Sequence, residues 1–221
     1  MIFDFHTHTS LSDGALSPME LINRARVAGY TALGIADHSA AGTTRRIIAE
    51  VAEDCEVALR HWGFPVLAGI EITHAPPEAI ADLAAEAKAA GARYVVVHGE
   101  TPVEPVPAGT NLAACRCPDV DILAHPGMIT LEAARAAAQN GVFLEITRRQ
   151  GHSLTNGHVV RVAAQAGAAL LVNTDAHSPG DLLTEQLARV VATGAGLSPD
   201  EAEMVLIENP KRLLARAGIR L

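Results

Sequence analysis

The segment Ile2-Phe3-Asp4-Phe5-His6-Thr7-His8 decides how this chain is interpreted, because a β-prone run ends directly in two residues that can bind metal ions. Alternate residues of an extended strand point the same way, so His6 and His8 can face one point together. The same order returns at residues 170–177, where Leu-Leu-Val-Asn leads into Thr-Asp-Ala-His. Imidazoles and carboxylates are common ligands of first-row metal ions. Both segments therefore predict a strand that leads into a metal site.

Between these segments, short β-prone runs alternate with alanine-rich amphipathic stretches. The predicted strands cover residues 2–5, 31–36, 66–71, 93–97, 121–124, 142–146 and 169–173. The predicted helices lie near residues 18–28, 42–62, 77–90, 130–139, 155–166, 181–194, 199–206 and 210–217. Regular alternation of this kind implies parallel strands joined by crossover helices. Seven such repeats favour a barrel, with an open doubly wound sheet as the alternative.

Length and composition predict one α/β domain over residues 1–221. Hydrophobic residues make up 49% of the chain, but its apolar runs are too short to span a membrane. The net charge of −8 offers no broad surface for nucleic acid. Three cysteines argue against a disulfide framework, so Cys115 and Cys117 are interpreted as reduced thiols in a loop. No signal-like segment is seen at the N-terminus, and we expect a cytoplasmic protein.

Further candidate ligands stand at the ends of the intervening strands. They are His38, Glu71, His98 and His125, together with Asp13 in the first β–α loop. In parallel barrels the chemistry gathers at the C-terminal ends of the strands. Buried carboxylates need partners, and metal ligation supplies one for Asp13, Glu71 and Asp175 alike. We therefore predict a site that holds more than one ion.

These residues form an ordered pattern that resembles the PHP family (polymerase and histidinol phosphatase) of metal-dependent phosphoesterases. The matching motifs are Asp4-Phe5-His6-Thr7-His8, Ser12-Asp13-Gly14, Ala36-Asp37-His38, Gly69-Ile70-Glu71, His98, His125-Pro126 and Asp175-Ala176-His177. They occur in the family's order and span nearly the whole chain. The resemblance implies the PHP fold, a distorted seven-stranded (β/α) barrel similar to a TIM barrel, which agrees with the strand count.

The resemblance also implies three divalent cations, and ligands without thiolates fit zinc, manganese or iron. The first ion would be held by His6, His8, Glu71 and Asp175, the second by Glu71, His98 and His125, and the third by Asp13, His38 and His177. Glu71 would bridge the first two ions, and Glu71, Asp175 and His177 are the expected catalytic residues. Some relatives carry histidine where this chain has Asp13, which affects the metal preference of the third position.

The charge balance of such a site indicates its substrate. Three carboxylates offset only half of the charge of three divalent cations, so the excess favours a dianionic group such as a terminal phosphate. The implied reaction is hydrolysis of a small phosphomonoester by a hydroxide that bridges two ions. Histidinol phosphate and a nucleotide or bisphosphonucleotide are the candidate substrates. We expect a small anionic substrate and no membrane or long nucleic acid as partner; the oligomeric state is not predicted.

Residues outside the ligand pattern complete the prediction. Arg148, Arg149 and His152 follow a strand and are candidates for binding the phosphate, with a solvated turn as the alternative. Glu145 is a candidate for orienting a ligating histidine. The proline- and glycine-rich segment 99–111 is either a substrate-facing rim or a simple connector. Asp37, beside His38, is expected to support a ligand. Asp4 alternates onto the same strand face as His6 and is expected inside the barrel, where it would need a partner, and His61 and His74 are treated as structural.

Two other interpretations of the same residues remain open. Amidohydrolases also begin with His-x-His on a first barrel strand, but they typically use a lysine where this chain has Glu71. They also usually have eight strands and lack the paired Asp175 and His177. The second reading is a catalytically silent metal-binding relative, against which the complete ligand set argues.

Overall fold

The computed structural model describes residues 1–219 and contains eight parallel strands and nine α-helices over that range. The strands are β1 (Phe3–Asp4), β2 (Ala32–Ile35), β3 (His38–Ser39), β4 (Val66–Ile72), β5 (Tyr94–His98), β6 (Ile122–Ala124), β7 (Phe143–Thr147) and β8 (Leu170–Asn173). Seven of them follow the order β1-β2-β4-β5-β6-β7-β8. The short β3 lies just beyond β2 and pairs with β4 through His38 and Glu71. Residues 220 and 221 of the predicted domain lie outside the described range.

The sheet closes into a barrel where the first and last strands meet. Beyond the ends of β1 and β8, Thr7 forms a parallel bridge with Ala176. The His8 N–H donates to the Ala176 carbonyl at 2.8 Å, and the Ala176 N–H donates to the His6 carbonyl at 3.3 Å. Below this bridge the contact is made by a side chain, since the Phe5 N–H donates to Asn173 Oδ1 at 2.9 Å. The predicted seven-stranded barrel is thus confirmed, and the open sheet is wrong.

The helices pack around the outside of the barrel. They are α1 (Pro18–Val27), α2 (Thr44–Trp62), α3 (Ile80–Ala89), α4 (Thr110–Arg116), α5 (Leu131–Asn140), α6 (Asn156–Ala166), α7 (Glu185–Gly194), α8 (Pro199–Glu203) and α9 (Asn209–Arg216). The prediction missed α4 and separated α8 from α9, whereas the structure joins them through a π-helical turn at Met204–Glu208. Pro210 has no N–H to donate into the preceding turn, which favours this wider winding.

Two apolar cores are separated by the strands. One lies between the strands and the surrounding helices, and the other fills the barrel with side chains such as Phe5, Tyr94 and Phe143. Helix α9 closes the N-terminal end of the barrel with Leu213 and Leu214, both fully buried. The interior is therefore packed up to the C-terminal mouth, where the polar residues begin. Among the described residues, no helix combines the length and the apolar character needed to cross a membrane.

Candidate metal centre

The strands bring His6, His8, Glu71 and Asp175 together at the C-terminal mouth, and all four are buried. His6 Nε2 lies 3.4 Å from Glu71 Oε1 and 3.7 Å from Asp175 Oδ1. His8 Nε2 lies 3.1 Å from Asp175 Oδ1 and 3.8 Å from Glu71 Oε2. The two imidazoles come from the alternating positions after β1, while the carboxylates come from β4 and the turn after β8. This is the set of residues expected at the first metal position.

The atoms that converge here fit a cation. His6 Nε2, His8 Nε2, Glu71 Oε1 and Asp175 Oδ1 are buried and have no hydrogen-bond partner within residues 1–219. Two ligand atoms that are each about 2.1 Å from one ion are roughly 3.0 Å apart at a right angle and roughly 3.4 Å apart at a tetrahedral angle. The two shortest observed separations lie in this range: 3.1 Å between His8 Nε2 and Asp175 Oδ1, and 3.4 Å between His6 Nε2 and Glu71 Oε1. Buried polar atoms without partners are costly, so a bound cation would explain why they are tolerated.

Glu145 on β7 holds the far side of His6. His6 Nδ1 lies 2.8 Å from Glu145 Oε1, and the Asn173 amide donates to the same oxygen at 2.9 Å. The other oxygen, Oε2, accepts the His125 backbone N–H at 2.9 Å. Because this carboxylate accepts a hydrogen bond from Nδ1–H, the opposite nitrogen of His6, Nε2, faces the centre and would bind a cation there in place of a proton. Glu145 therefore has the position expected of a residue that orients a ligand.

A second group, Asp13, His38 and His177, lies beside His8 on the outer side of the mouth. Asp13 is 3.2 Å from His177 Nε2 and 3.6 Å from His38 Nε2. The ring of His8 lies 4.3 Å from that of His38 and 4.2 Å from that of His177, centroid to centroid. The residues predicted for the third position are thus together, and Asp13 is the most exposed of them, at 54% of its side chain.

Asp37 shapes the loop that carries Asp13. Its carboxylate accepts the Thr9 N–H at 2.7 Å, the Thr9 hydroxyl at 2.7 Å and the Ser12 hydroxyl at 2.6 Å. Gly14 closes the loop so tightly that a Cβ there would lie 2.4 Å from the His8 carbonyl oxygen. The support expected from Asp37 therefore acts on the loop before Asp13 and not on His38 beside it.

The residues expected at the second position are only partly brought together. His125 Nε2 lies 3.7 Å from Glu71 Oε1, and its ring is 4.5 Å from that of His98. His98 Nε2, however, is 2.9 Å from the carboxylate of Glu104, which the sequence reasoning did not single out. Glu104 lies in the 99–111 segment, and the proline and glycine content of that segment was the only signal for it.

The three residues predicted to bind phosphate have different surroundings. Arg148 is tied to the turn after β8, since it donates to Asp181 and Gly180. Arg149 reaches the centre itself, where it donates to the Asp175 carbonyl at 3.2 Å. Both arginines line a polar cavity of about 420 Å³. His152 is buried rather than exposed on the rim, and its ring lies 4.3 Å from that of His125.

The charges of the centre are strongly coupled. Burial opposes ionisation throughout, but Glu145, Glu71 and Asp175 outweigh it and hold the pKa of His6 well above its usual range. Burial would raise the pKa of Glu71, yet His6 and His38 hold it well below its ordinary value. Burial raises the pKa of Asp175 to about 8. Neighbouring groups with pKa values pushed in opposite directions are typical of functional sites.

The backbone is strained at two of the candidate ligands. His125 and Asp175 adopt positive φ angles of 25° and 54°, in the left-handed region that favours glycine. Such a conformation costs on the order of 1–3 kcal/mol and persists only where the surrounding structure holds it. The strain turns both side chains into the mouth, which is consistent with selection for a site rather than for stability.

Comparison with known proteins agrees with this geometry. The family model described as PHP domain matches residues 4–101, which include six of the nine candidate ligands, from His6 to His98. Outside that range lie His125, Asp175 and His177, which the barrel brings to the same mouth. An uncharacterized protein of Methanocaldococcus jannaschii is 46% identical over 98% of this chain and 100% of its own length. The chain belongs to the PHP family.

Other proteins that are similar to this chain are named as components of ribonuclease P. Ribonuclease P protein component 3 of Methanosarcina mazei is 28% identical over 97% of the chain and 89% of its own length. A chain in the cryo-EM structure of archaeal ribonuclease P with mature tRNA superposes with a TM-score of 0.73 at 15% identity, covering 97% of this chain and 90% of that one. The superposition shows that this chain and the ribonuclease P chain share the same barrel fold.

Proposed function

We propose that this PHP protein is a metal-dependent phosphoesterase that hydrolyses a small phosphomonoester at the mouth of its barrel. The observation that carries the proposal is the convergence of buried, unpartnered ligand atoms from His6, His8, Glu71 and Asp175. Three divalent ions, zinc, manganese or iron, would lower the pKa of a water molecule and neutralise phosphoryl oxygens when bound. Glu71, Asp175 and His177 are the residues that we assign to catalysis.

The chain supplies positioning and charge around the ions. Glu145 orients His6, and Asp37 holds the loop of Asp13. Arg149 lies at the edge of the centre, with its Nε 3.7 Å from Asp175 Oδ2, and has the fork geometry suited to phosphate oxygens. The neighbouring cavity of about 420 Å³ lies in the size range of sites for small molecules. Histidinol phosphate and a nucleotide or bisphosphonucleotide remain the candidate substrates.

A panel of phosphate esters tests this proposal. The protein is stripped with a chelator, reloaded separately with zinc, manganese or iron, and assayed for release of inorganic phosphate. We expect no turnover after stripping and recovery with at least one metal. Glu71→Gln should lower both metal content and rate, whereas Glu78→Gln, the same change on an exposed glutamate, should alter neither. Full activity of the stripped protein would refute the proposal.

The likeness to ribonuclease P component 3 favours one second candidate, an RNA-associated role of the PHP barrel. It also weighs against the expectation that long nucleic acid is excluded, which was drawn mainly from the net charge of −8. Filter binding with tRNA and with a structured RNA, across a salt series, separates the two functions. Tight, salt-dependent RNA binding without release of phosphate from any ester would favour the second candidate. Phosphate release without RNA binding would favour the first.

A further inference from the structure

The loop Gly99–Gly109, between β5 and α4, is anchored across the mouth of the barrel. Glu100 accepts the backbone N–H groups of Gly109 at 3.0 Å and Asn111 at 2.8 Å, which ties the two ends of the loop together. At its tip, Val103 packs against Gly151, where an added Cβ would lie 3.1 Å from it. This anchoring places Glu104 directly over the histidines of the centre.

The carboxylate of Glu104 faces three imidazoles at once. Oε2 lies 2.9 Å from His98 Nε2 and 3.4 Å from His74 Nε2, and Oε1 lies 3.3 Å from His152 Nε2. Ligand atoms from His74, His98 and Glu104 all lie within 4.8 Å of one another. The separations of 2.9 and 3.4 Å match the roughly 3.0 and 3.4 Å expected between neighbouring ligands of one ion.

The two ring nitrogens of His98 have different partners. His98 Nδ1 lies 3.2 Å from the Gly99 carbonyl oxygen, which can only accept a hydrogen bond, and Nε2 lies 2.9 Å from Glu104 Oε2. A neutral imidazole that donates from Nδ1 would turn the lone pair of Nε2 towards Glu104, and a cation shared by Nε2 and the carboxylate would satisfy both atoms.

We propose that Glu104 and His74 join His98 as ligands of one divalent cation, so that the metal holds the loop Gly99–Gly109 over the centre. This inference rests on the proposed function, because it extends the same metal centre. It adds two ligands to the nine residues that the family pattern supplies, and it changes the surroundings of His98. Removing the cation would release the tip of the loop and widen access to Glu71 and His125.

The backbone at His74 supports this assignment. His74 has a φ angle of 53° although it is not glycine, and 43% of its side chain is exposed. A strained backbone at an exposed histidine has no packing reason, whereas it does direct the imidazole towards Glu104. From the sequence alone His74 is expected to be structural, because it lies outside the ligand pattern.

Cobalt(II) binding tests the proposal, since cobalt reports its ligands through its visible absorption. The stripped protein and the variants Glu104→Gln and His74→Asn are titrated with cobalt, and the exchange of loop amides is followed by hydrogen–deuterium exchange. Asparagine tolerates the left-handed conformation at position 74, so His74→Asn should keep the backbone. Glu78→Gln, which removes the same charge from an exposed glutamate, is the matched control.

We expect each variant to lower the affinity for cobalt at one metal position by at least about tenfold, since even changes beyond the direct ligands lower metal affinity about 10–100-fold. We also expect faster exchange at residues 99–109, and neither effect in Glu78→Gln. Cobalt affinities and spectra like those of the starting protein in both variants would overturn the proposal, even if the protein hydrolyses phosphate esters. Loss of cobalt binding at one metal position in both variants would support the proposal, even if no ester is hydrolysed.

Discussion

At the scale of single residues, three imidazoles of the centre are oriented by a hydrogen bond at Nδ1. Nδ1 of His6 bonds to Glu145, that of His98 to the Gly99 carbonyl, and that of His177 to the Asp175 carbonyl at 2.9 Å. Each of these oxygens can accept a hydrogen bond from Nδ1–H, which leaves Nε2 available to a cation. The orientation of these three rings is therefore fixed by oxygen atoms that are not themselves candidate ligand atoms.

Glu145→Gln tests this dependence. The amide can still accept from His6, but its NH₂ group would face the His125 backbone N–H that Oε2 now accepts at 2.9 Å. Two donors would then oppose each other in a buried site, which costs about 1–3 kcal/mol of unfolding free energy. We also expect metal affinity to fall about 10–100-fold. Urea unfolding and metal titration check both effects, and the exposed Glu53→Gln should show neither.

The cysteines offer a second prediction at this scale. Burial raises the pKa of the Cys55 and Cys115 thiols to about 12. Cys115 lies in α4, not in a loop as predicted. At pH 8 the thiolate fraction should be roughly a thousandfold below that of a free thiol, so iodoacetamide should alkylate both slowly in the native state. Mass spectrometry of native and urea-unfolded protein measures the difference; equal rates would contradict it.

At the scale of the elements, glycine positions on two neighbouring strands make room for the barrel core. A Cβ added at Gly34 would lie 2.4 Å from the Tyr94 hydroxyl, and one at Gly69 would lie 2.4 Å from the Tyr94 ring. Tyr94 is fully buried, so it cannot move aside into solvent. The strands β2 and β4 can therefore pack against this ring only without side chains at those positions.

Gly69→Ala should destabilise the protein by about 1–3 kcal/mol or more, because the added methyl group overpacks the interior. Gly194→Ala is the matched control, since Gly194 ends α7 and an added Cβ meets no atom within 4 Å. There the change should stabilise by up to about 1 kcal/mol through helix propensity. Thermal unfolding of the two variants should shift in opposite directions; a shared direction would contradict the packing explanation.

The same scale shows why one helix was missed. Helix α4 has only seven residues, Thr110–Arg116, which are too few to display an amphipathic repeat. It also follows a segment rich in proline and glycine, which favours a loop interpretation. The seven main strands were predictable because each combines an apolar run with a polar residue directly after it.

At the scale of the whole molecule, the barrel is sealed at one end and polar at the other. Helix α9 places Leu213 and Leu214 beneath the barrel core, and Asn209 donates to the Leu170 carbonyl at 2.9 Å. Arg216 lies over the Phe143 ring at 5.2 Å. The C-terminal helix is thus part of the structure that supports the centre at the opposite end.

Leu213→Ala should cost about 2–5 kcal/mol of unfolding free energy, because Leu213 is fully buried and the seal would retain a cavity. Val190→Ala removes an aliphatic side chain that is 57% exposed, and it should stay within about 0.5 kcal/mol of the starting protein. Denaturant unfolding measures both. A similar cost for the two variants would show that α9 does not seal the barrel.

Local periodicity and short motifs were enough to predict the strand order, the barrel and the polar residues at the strand ends. How those residues meet became visible only in the folded barrel. Barrel closure at Thr7 and Ala176 joins the first and last strands, and the anchored loop brings Glu104 to His98. The burial of His152 and the support of His6 by Glu145 also depend on contacts between distant segments. Which side chains face each other across a barrel mouth depends on register and loop conformation, and no local pattern encodes either.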